Sequence, residues 1–195
     1  HYFNARQSVD IFSHQPLCFA PGTGFKYSTF GYSLLGATIE GATGKSYAAW
    51  INDNIKQPLA MQSLHQSTAK RAGYTMKNGH LIPVSDGNVA WRLPGGGWES
   101  NIIDMAKFAN AIIQGKLLKN SEYLWANVPG NHIYGLGMKH NADNSLVWHE
   151  GYHINNRSLL ALFPDSPNRL GIVVLTNSAH SEPMAIIHRL AKLLL

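Results

Sequence analysis

An α+β fold, an antiparallel sheet flanked by helices, is predicted for this chain of 195 residues. Three observations predict it. Apolar residues recur at helical spacing between about residues 30 and 113, short β-branched runs separated by turn residues fill Ile133 to Thr176, and a last amphipathic stretch runs from Pro183 to the end. Hydrophobic residues make up 45% of the chain, which supports a real core and argues against disorder. Charged residues make up only 14%, against roughly 25% in an average soluble domain, so Asn, Ser, Gln, Thr and His supply most of the polar surface.

The first long helix is expected from about Phe30 to Gly41, because Leu34, Leu35, Thr38 and Ile39 share a face and Gly41 and Gly44 offer stopping points. Ser46 caps a second helix carrying Tyr47, Trp50, Ile51 and Ile55, which Pro58 ends. Residues 62–99 hold no sustained period and several breakers, among them Pro83, Gly87 and Pro94-Gly95-Gly96-Gly97. They read as a long irregular excursion with short strands, the kind of loop that often carries function. Asn101 with Asp104 resembles a capping box, and Ile102, Met105, Ala106, Ala109, Ile112 and Ile113 form an apolar face that stops at Gly115. Tyr134–Met138, Leu146–His149, Ser158–Phe163 and Leu170–Thr176 then read as an antiparallel meander, the last two joined by the turn Pro164-Asp165-Ser166-Pro167-Asn168. Ser181-Glu182-Pro183 places a cap, an acid and a proline at the start of a final helix whose Ile186, Ile187, Leu190, Leu193 and Leu194 face one way.

The formal net charge is +5, but the basic residues are scattered and the densest group is Lys70-Arg71 with Lys77, so no nucleic-acid stripe is visible. No stretch reaches the roughly 18 apolar residues of a membrane span. The start, His1 to Arg6, has neither an initiator Met nor the features of a signal peptide, so further segments are expected upstream. Cys18, the single cysteine, lies in the apolar run Leu17-Cys18-Phe19 and is expected as a buried, inert thiol.

His149-Glu150-Gly151-Tyr152-His153 matches the H-E-x-x-H of zinc peptidases, whose chemistry needs a helix to put both imidazoles on one metal. Here Gly151, the alternation of Leu146 and Trp148 before it and Asn155-Asn156 after it favour a strand and turn. A strand would separate residues 149 and 153 by about 13 Å at roughly 3.3 Å per residue. Glu182 is the only plausible downstream acid for a third ligand. His14, His65, His80, His132, His140 and His180 stand singly in loop-like sequence and are expected to be exposed.

Ser67-Thr68-Ala69-Lys70 matches the S-x-x-K of penicillin-recognising serine enzymes, in which one helical turn sets the Lys amine beside the Ser hydroxyl. The stretch Gln66 to Arg71 lacks apolar residues that would bury such a helix, so the match reads as coincidence. Tyr27, between the turn Pro21-Gly22-Thr23-Gly24 and the first long helix, suits a proton relay beside a cation. On local grounds alone the better reading is a core aromatic before a helix cap.

In their order along the chain these segments resemble the class C β-lactamase-related, penicillin-binding-protein-like serine hydrolases. The resemblance rests on Phe19–Gly36 with its Tyr27-Ser28-Thr29, on Ile39-Glu40, Thr43-Gly44 and Pro58-Leu59-Ala60-Met61, on Pro94–Ser100 with Asp104–Phe108, on Tyr134-Gly135-Leu136-Gly137 and on Trp148-His149-Glu150-Gly151. It runs from about residue 8 to the C-terminus. It implies the C-terminal part of one β-lactamase-like catalytic domain, with an α-rich region over about 20–128 and sheet strands and terminal helix over 130–195. By position, Tyr27 would shuttle the proton between nucleophile and leaving group. His149 would stand in for the cationic residue lining the site, and the backbone N–H of Tyr152 would be an oxyanion-hole donor. Thr29, Glu150 and Gly151 would line the substrate. Thr29 stands where many members carry Asn, and H-x-G replaces K-T-G, as in esterases, peptidases and mitochondrial β-lactamase-like proteins.

The family's S-x-x-K precedes its Tyr motif, and residues 1–26 contain none, so the nucleophilic Ser and Lys are expected upstream and the chain alone is expected to be inactive. The implied reaction is acyl transfer on an ester, peptide or β-lactam carbonyl, with no metal or organic cofactor and a periplasmic location. The missing segment, or self-association, is expected to cover the exposed core. Two alternatives stand beside it: a non-catalytic ligand-binding or self-assembling member of the same fold, and the zinc peptidase of the H-E-x-x-H match.

Overall fold

The computed structural model describes residues 5–68, 72–85, 87 and 89–195. In chain order the elements are α1 (Ala5–Val9), α2 (Thr29–Thr43), α3 (Tyr47–Ile51, continued by a π-helical turn Asn52–Lys56), β1 (His65–Gln66), β2 (Ala72–Lys77), β3 (His80–Ser85) and a 3-10 turn Ala90–Arg92. They continue with β4 (Trp98–Glu99), α4 (Ile102–Ile113), a 3-10 turn Ser121–Leu124, β5 (Lys139–His140), β6 (Val147–His153), β7 (Asn156–Phe163), β8 (Leu170–Thr176) and α5 (Pro183–Leu194). The chain divides into two compact units, His1–Lys70 with Gly87–Ser100, and Arg71–Asp86 with Asn101–Leu195.

In the first unit, α2 begins where Ser28, in extended conformation, accepts a hydrogen bond from Phe30 N, and it ends at Gly44, whose φ of 67° is the left-handed cap. The Glu40 carboxylate ties the helices together: one oxygen accepts from Ala5 N of α1 and the other from Tyr47 N at the start of α3. Ser46 caps α3 as predicted, accepting from Ala49 N. The packing face of α2 differs from the expected one. Its buried positions are Ser33 and Gly36, whereas Leu34 and Leu35 are exposed. The reason is steric: a Cβ on Gly36 would lie 2.0 Å from Pro94 Cγ, so this face must be nearly bare to admit the proline loop.

The second unit holds a four-stranded antiparallel sheet, order β5-β6-β7-β8, and the separate hairpin of β2 and β3. Period-two alternation divides the side chains of the sheet between two cores. Val147, Leu160, Leu162 and Val173 face α4 and join Ala109, Ile112, Ile113 and Trp125. Leu159, Ala161, Ile172 and Val174 point the other way, against Ile187 of α5. Asn101 caps α4, its side chain accepting from Asp104 N at 2.9 Å, as the box-like spacing predicts.

Four expectations are corrected here. Tyr134–Met138 is not a strand but a looped segment closed by the bridge Tyr134↔Lys139, because Gly135 is pressed onto the Leu124–Trp125 backbone. Ser181 does not cap α5; its hydroxyl bonds Ser178 O and Thr176 while Glu182 occupies the cap position. On α5 only Ile187 is buried, and Leu193 is 81% exposed. Of the scattered histidines, His140 is buried, since the pair His140↔Val147 puts it on the α4 face of the sheet.

Candidate functional site

In the first unit, Tyr27 and Thr29 flank the Ser28 cap, so the start of α2 sets both. Tyr27 is half exposed, and its ring is tilted against Tyr32 one turn on, at 5.8 Å between centroids. The Gly-rich loop lies against the same helix start: a Cβ on Gly95 would come 2.7 Å from the Thr29 methyl and 2.9 Å from the Thr29 carbonyl oxygen. Gly97, at φ +77°, turns the chain into β4, which pairs with β1 through His65↔Glu99 and Gln66↔Trp98. Pro94–Ser100 and Tyr27-Ser28-Thr29, read as separate motifs in the sequence, are therefore one packed arrangement.

Ser67 extends the β1 ladder, its N–H donating to Gly97 O, and its buried hydroxyl donates to Glu99 Oε1 at 2.8 Å. A serine in that extended segment is not the first turn of a nucleophile helix; Ala69 and Lys70 of that match lie outside the described residues. Cys18 is exposed rather than buried, with the Lys26 ammonium 3.5 Å from its sulfur.

In the second unit, His149 to His153 lie on β6, so the strand reading of this segment holds and the helix that a zinc peptidase motif needs is not there. Opposite partners on β7 are Leu160 for His149, Ser158 for Gly151, Arg157 for Tyr152 and Asn156 for His153, with Ile154-Asn155 as the turn. His149 Nε2 sits 3.0 Å from the buried Tyr134 hydroxyl, with the rings edge-on at 5.8 Å. Burial pushes the His149 pKa below its ordinary value against the opposing pull of Glu150. That direction disfavours the cation that the resemblance implies at this position.

Glu150, on the opposite face, pairs with Lys139 of the neighbouring strand. Gly151 faces Ser158 so closely that a Cβ would lie 2.3 Å from the Ser158 hydroxyl oxygen. Tyr152 is exposed, and the Arg157 guanidinium lies 4.0 Å over its ring while donating to His153 O, Asn156 O and Ala179 O.

The direction of the Tyr152 N–H follows from the ladder. Asn141 N donates to Leu146 O, so the even-numbered residues of this strand turn their backbone groups toward β5, and the odd-numbered ones toward β7. The β5 pairing ends at Lys139↔Trp148. The Tyr152 N–H therefore points to the side that, among the described residues, no strand of this sheet occupies beyond that pair. Lys139 and Arg157 were not singled out by sequence, and Tyr134 only as part of the segment Tyr134-Gly135-Leu136-Gly137. The asparagines at 155 and 156 signalled a turn nearby, and the two-residue turn Ile154-Asn155 sets Arg157 directly opposite Tyr152.

Residues 1–195 match, over their full extent, the family model described as Beta-lactamase, and the chain belongs to that family. The mitochondrial serine beta-lactamase-like protein LACTB of Bos taurus is 30% identical over 174 residues, covering 85% of this chain and 27% of that protein. Among solved structures, the octameric penicillin-binding protein homologue from Pyrococcus abyssi is 25% identical with a TM-score of 0.80, covering 98% of this chain and 48% of that one. The crystal structure of SurE is 22% identical with a TM-score of 0.84, covering 98% of this chain and 50% of that one. The chain thus spans about half or less of the length of these proteins.

Two outcomes follow. Gly151→Ala is expected to cost on the order of 1–3 kcal/mol in urea denaturation, and Ser158→Ala in the same chain to restore most of it, since the clash is with that hydroxyl. His149 titrates near 6.5 when unfolded and lower when folded, so between those values the unfolded chain holds the extra proton. Its contribution to stability is complete above 6.5 and is lost as pH falls toward the folded value. Denaturation midpoints at about pH 8 and about pH 5 should differ more in the native sequence than in His149→Gln.

Proposed function

We propose that the protein carrying this chain is a serine hydrolase that forms an acyl-enzyme on an ester, peptide or β-lactam carbonyl. The observation that carries the reading is the Tyr152 N–H, directed at the uncovered side of β6 next to a glycine, the arrangement a developing oxyanion requires. A Ser and Lys outside these residues supply nucleophile and amine. The Ser attacks the carbonyl, its proton moves through Tyr27 toward the leaving group, and the oxyanion rests on the N–H groups of Tyr152 and of the Ser. Water then releases the acyl group. Thr29, Glu150 and Gly151 line the substrate, and His149 does so as a neutral imidazole. A periplasmic location goes with this reading; among the described residues no helix is long and apolar enough to cross a membrane.

Intact-mass spectrometry of the full-length protein, before and after a fluorophosphonate and a penicillin, tests it. The expected result is an adduct on a serine outside these 195 residues, with Tyr27→Phe slowing its formation by on the order of 10²-fold or more. An adduct on Ser67 would overturn the assignment of the nucleophile. No adduct at all would favour the non-catalytic alternative.

The exposed Leu17, Leu34, Leu35 and Leu193 support a cover supplied by the rest of the protein or, in the isolated chain, by self-association. Light scattering of the isolated chain is expected to show oligomers. A compact monomer of 21.5 kDa would defeat that expectation.

A further inference from the structure

Tyr134-Gly135-Leu136-Gly137 has no part in the chemistry above, yet its first residue touches the site. Tyr134 is buried, and its hydroxyl meets His149 Nε2 at 3.0 Å. The backbone at Tyr134 is pinned from three directions. Asn131 donates to Tyr134 O, Gly135 N donates to Met138 O, and Gly135 lies so close to the 3-10 turn that a Cβ would come 2.6 Å from both Leu124 O and Trp125 Cα. The glycine thus brings the loop down far enough for the tyrosine ring to stand edge-on to the imidazole.

We propose that Tyr134 is a positioning residue for His149: its phenol donates to Nε2, holds the neutral ring in the tautomer with its proton on Nδ1, and accepts in turn when that ring is protonated. The inference rests on the reading of His149 as part of the substrate site.

A hydroxyl serves both states, since it donates or accepts by rotation of a single bond. A carboxylate partner would favour the charged ring. A lysine or arginine, having no acceptor, would forbid the charge. A backbone hydrogen bond at Glu150 favours the protonated ring, as a carbonyl accepting from a ring N–H does. With Nε2 facing Tyr134, that N–H falls on Nδ1. His140 and His65 make the same contact, each Nδ1 meeting the carbonyl of the next residue, Asn141 and Gln66. The charged groups acting on the ring are Glu150, which favours its protonation, and Lys139, which opposes it. Both lie on the other face of the sheet and pair with each other. Tyr134 is thus the group in line with Nε2, where its hydroxyl and the carbonyl accepting from Nδ1–H act together to keep the proton on Nδ1.

The test is nitrogen-15 NMR of histidine-labelled full-length protein, native and Tyr134→Phe, with His149 assigned by His149→Gln. Two-bond couplings in the native protein should show the Nδ1–H tautomer at neutral pH. In Tyr134→Phe the tautomers should mix, and the His149 midpoint should move down, because the protonated ring loses an acceptor for its new N–H. The pH profile of kcat/KM should shift in the same direction. A native Nε2–H tautomer would overturn the proposal without any variant. So would an unchanged tautomer and midpoint in a Tyr134→Phe protein with native circular dichroism. These spectra need no turnover. A protein that shows the coupling and is inert toward the fluorophosphonate contradicts the proposed activity alone, whereas one that is active without the coupling contradicts this inference alone.

Discussion

The register of β6 on β7 is the constraint on which the second unit depends. Seven opposite pairs run from Val147↔Leu162 to His153↔Asn156, and side chains alternate faces with a period of two. A slip by one residue would carry His149 to the α5 side and bury Glu150 against Leu160 and Leu162, an unpaired carboxylate in an apolar core. Val147, without solvent exposure, would leave the α4 core, and Leu162 would lose its partner there. The apolar pattern of β7 and β8 therefore holds the polar residues of β6 in place, and the stability of the sheet and the placement of the site are one property.

The second organising feature is backbone approach at glycine. Gly95 against Thr29, Gly135 against Trp125 and Gly151 against Ser158 each sit where a Cβ would come within 2.7 Å of another atom. Every one of these contacts lies beside a residue with a proposed role: Thr29 itself, Tyr134 and Tyr152. A rigid close approach removes the freedom that a side-chain spacer would leave, which is how groups supporting catalysis are kept within a fraction of an ångström of their working positions. The glycines are thus the means by which loops are pressed onto helix α2 and the Ser121–Leu124 turn, and strand β6 onto strand β7.

What was legible in the sequence was the information carried locally. The cap at Asn101, the C-terminal half of the expected α4 face (Ala109, Ile112 and Ile113, but not the exposed Ile102 and Ala106), β8 at its observed limits and the strand character of the H-E-x-x-H segment follow from spacing and from one interior glycine. The family was legible from the order of its segments. What was not legible depends on residues far apart in the chain. Leu34 and Leu35 share an apolar face by periodicity, but the proline at position 94 decides which face of α2 packs. The exposure of Cys18, the burial of His140 opposite Val147 and the meeting of Tyr134 with His149 likewise depend on partners that no local window contains.

The electrostatics of β6 separate into two faces with different tasks. On one face Glu150 and Lys139 neutralise each other, so the strand carries a carboxylate close to the site without presenting a net charge there. On the other, His149 loses solvation by burial, and burial outweighs the pull of Glu150. A fixed cation in this position would hold an anionic substrate group by charge in water-poor surroundings. A neutral imidazole held by a phenol offers polarity and a proton-dependent charge instead, and the difference is controlled by solvation. Any ligand that closes over β6 and expels water disfavours the charged ring further, whereas one that brings a carboxylate within a few ångströms favours it. In the proposed site the charge state of His149 would then respond to what is bound, with the Tyr134 hydroxyl as the partner able to accommodate either state.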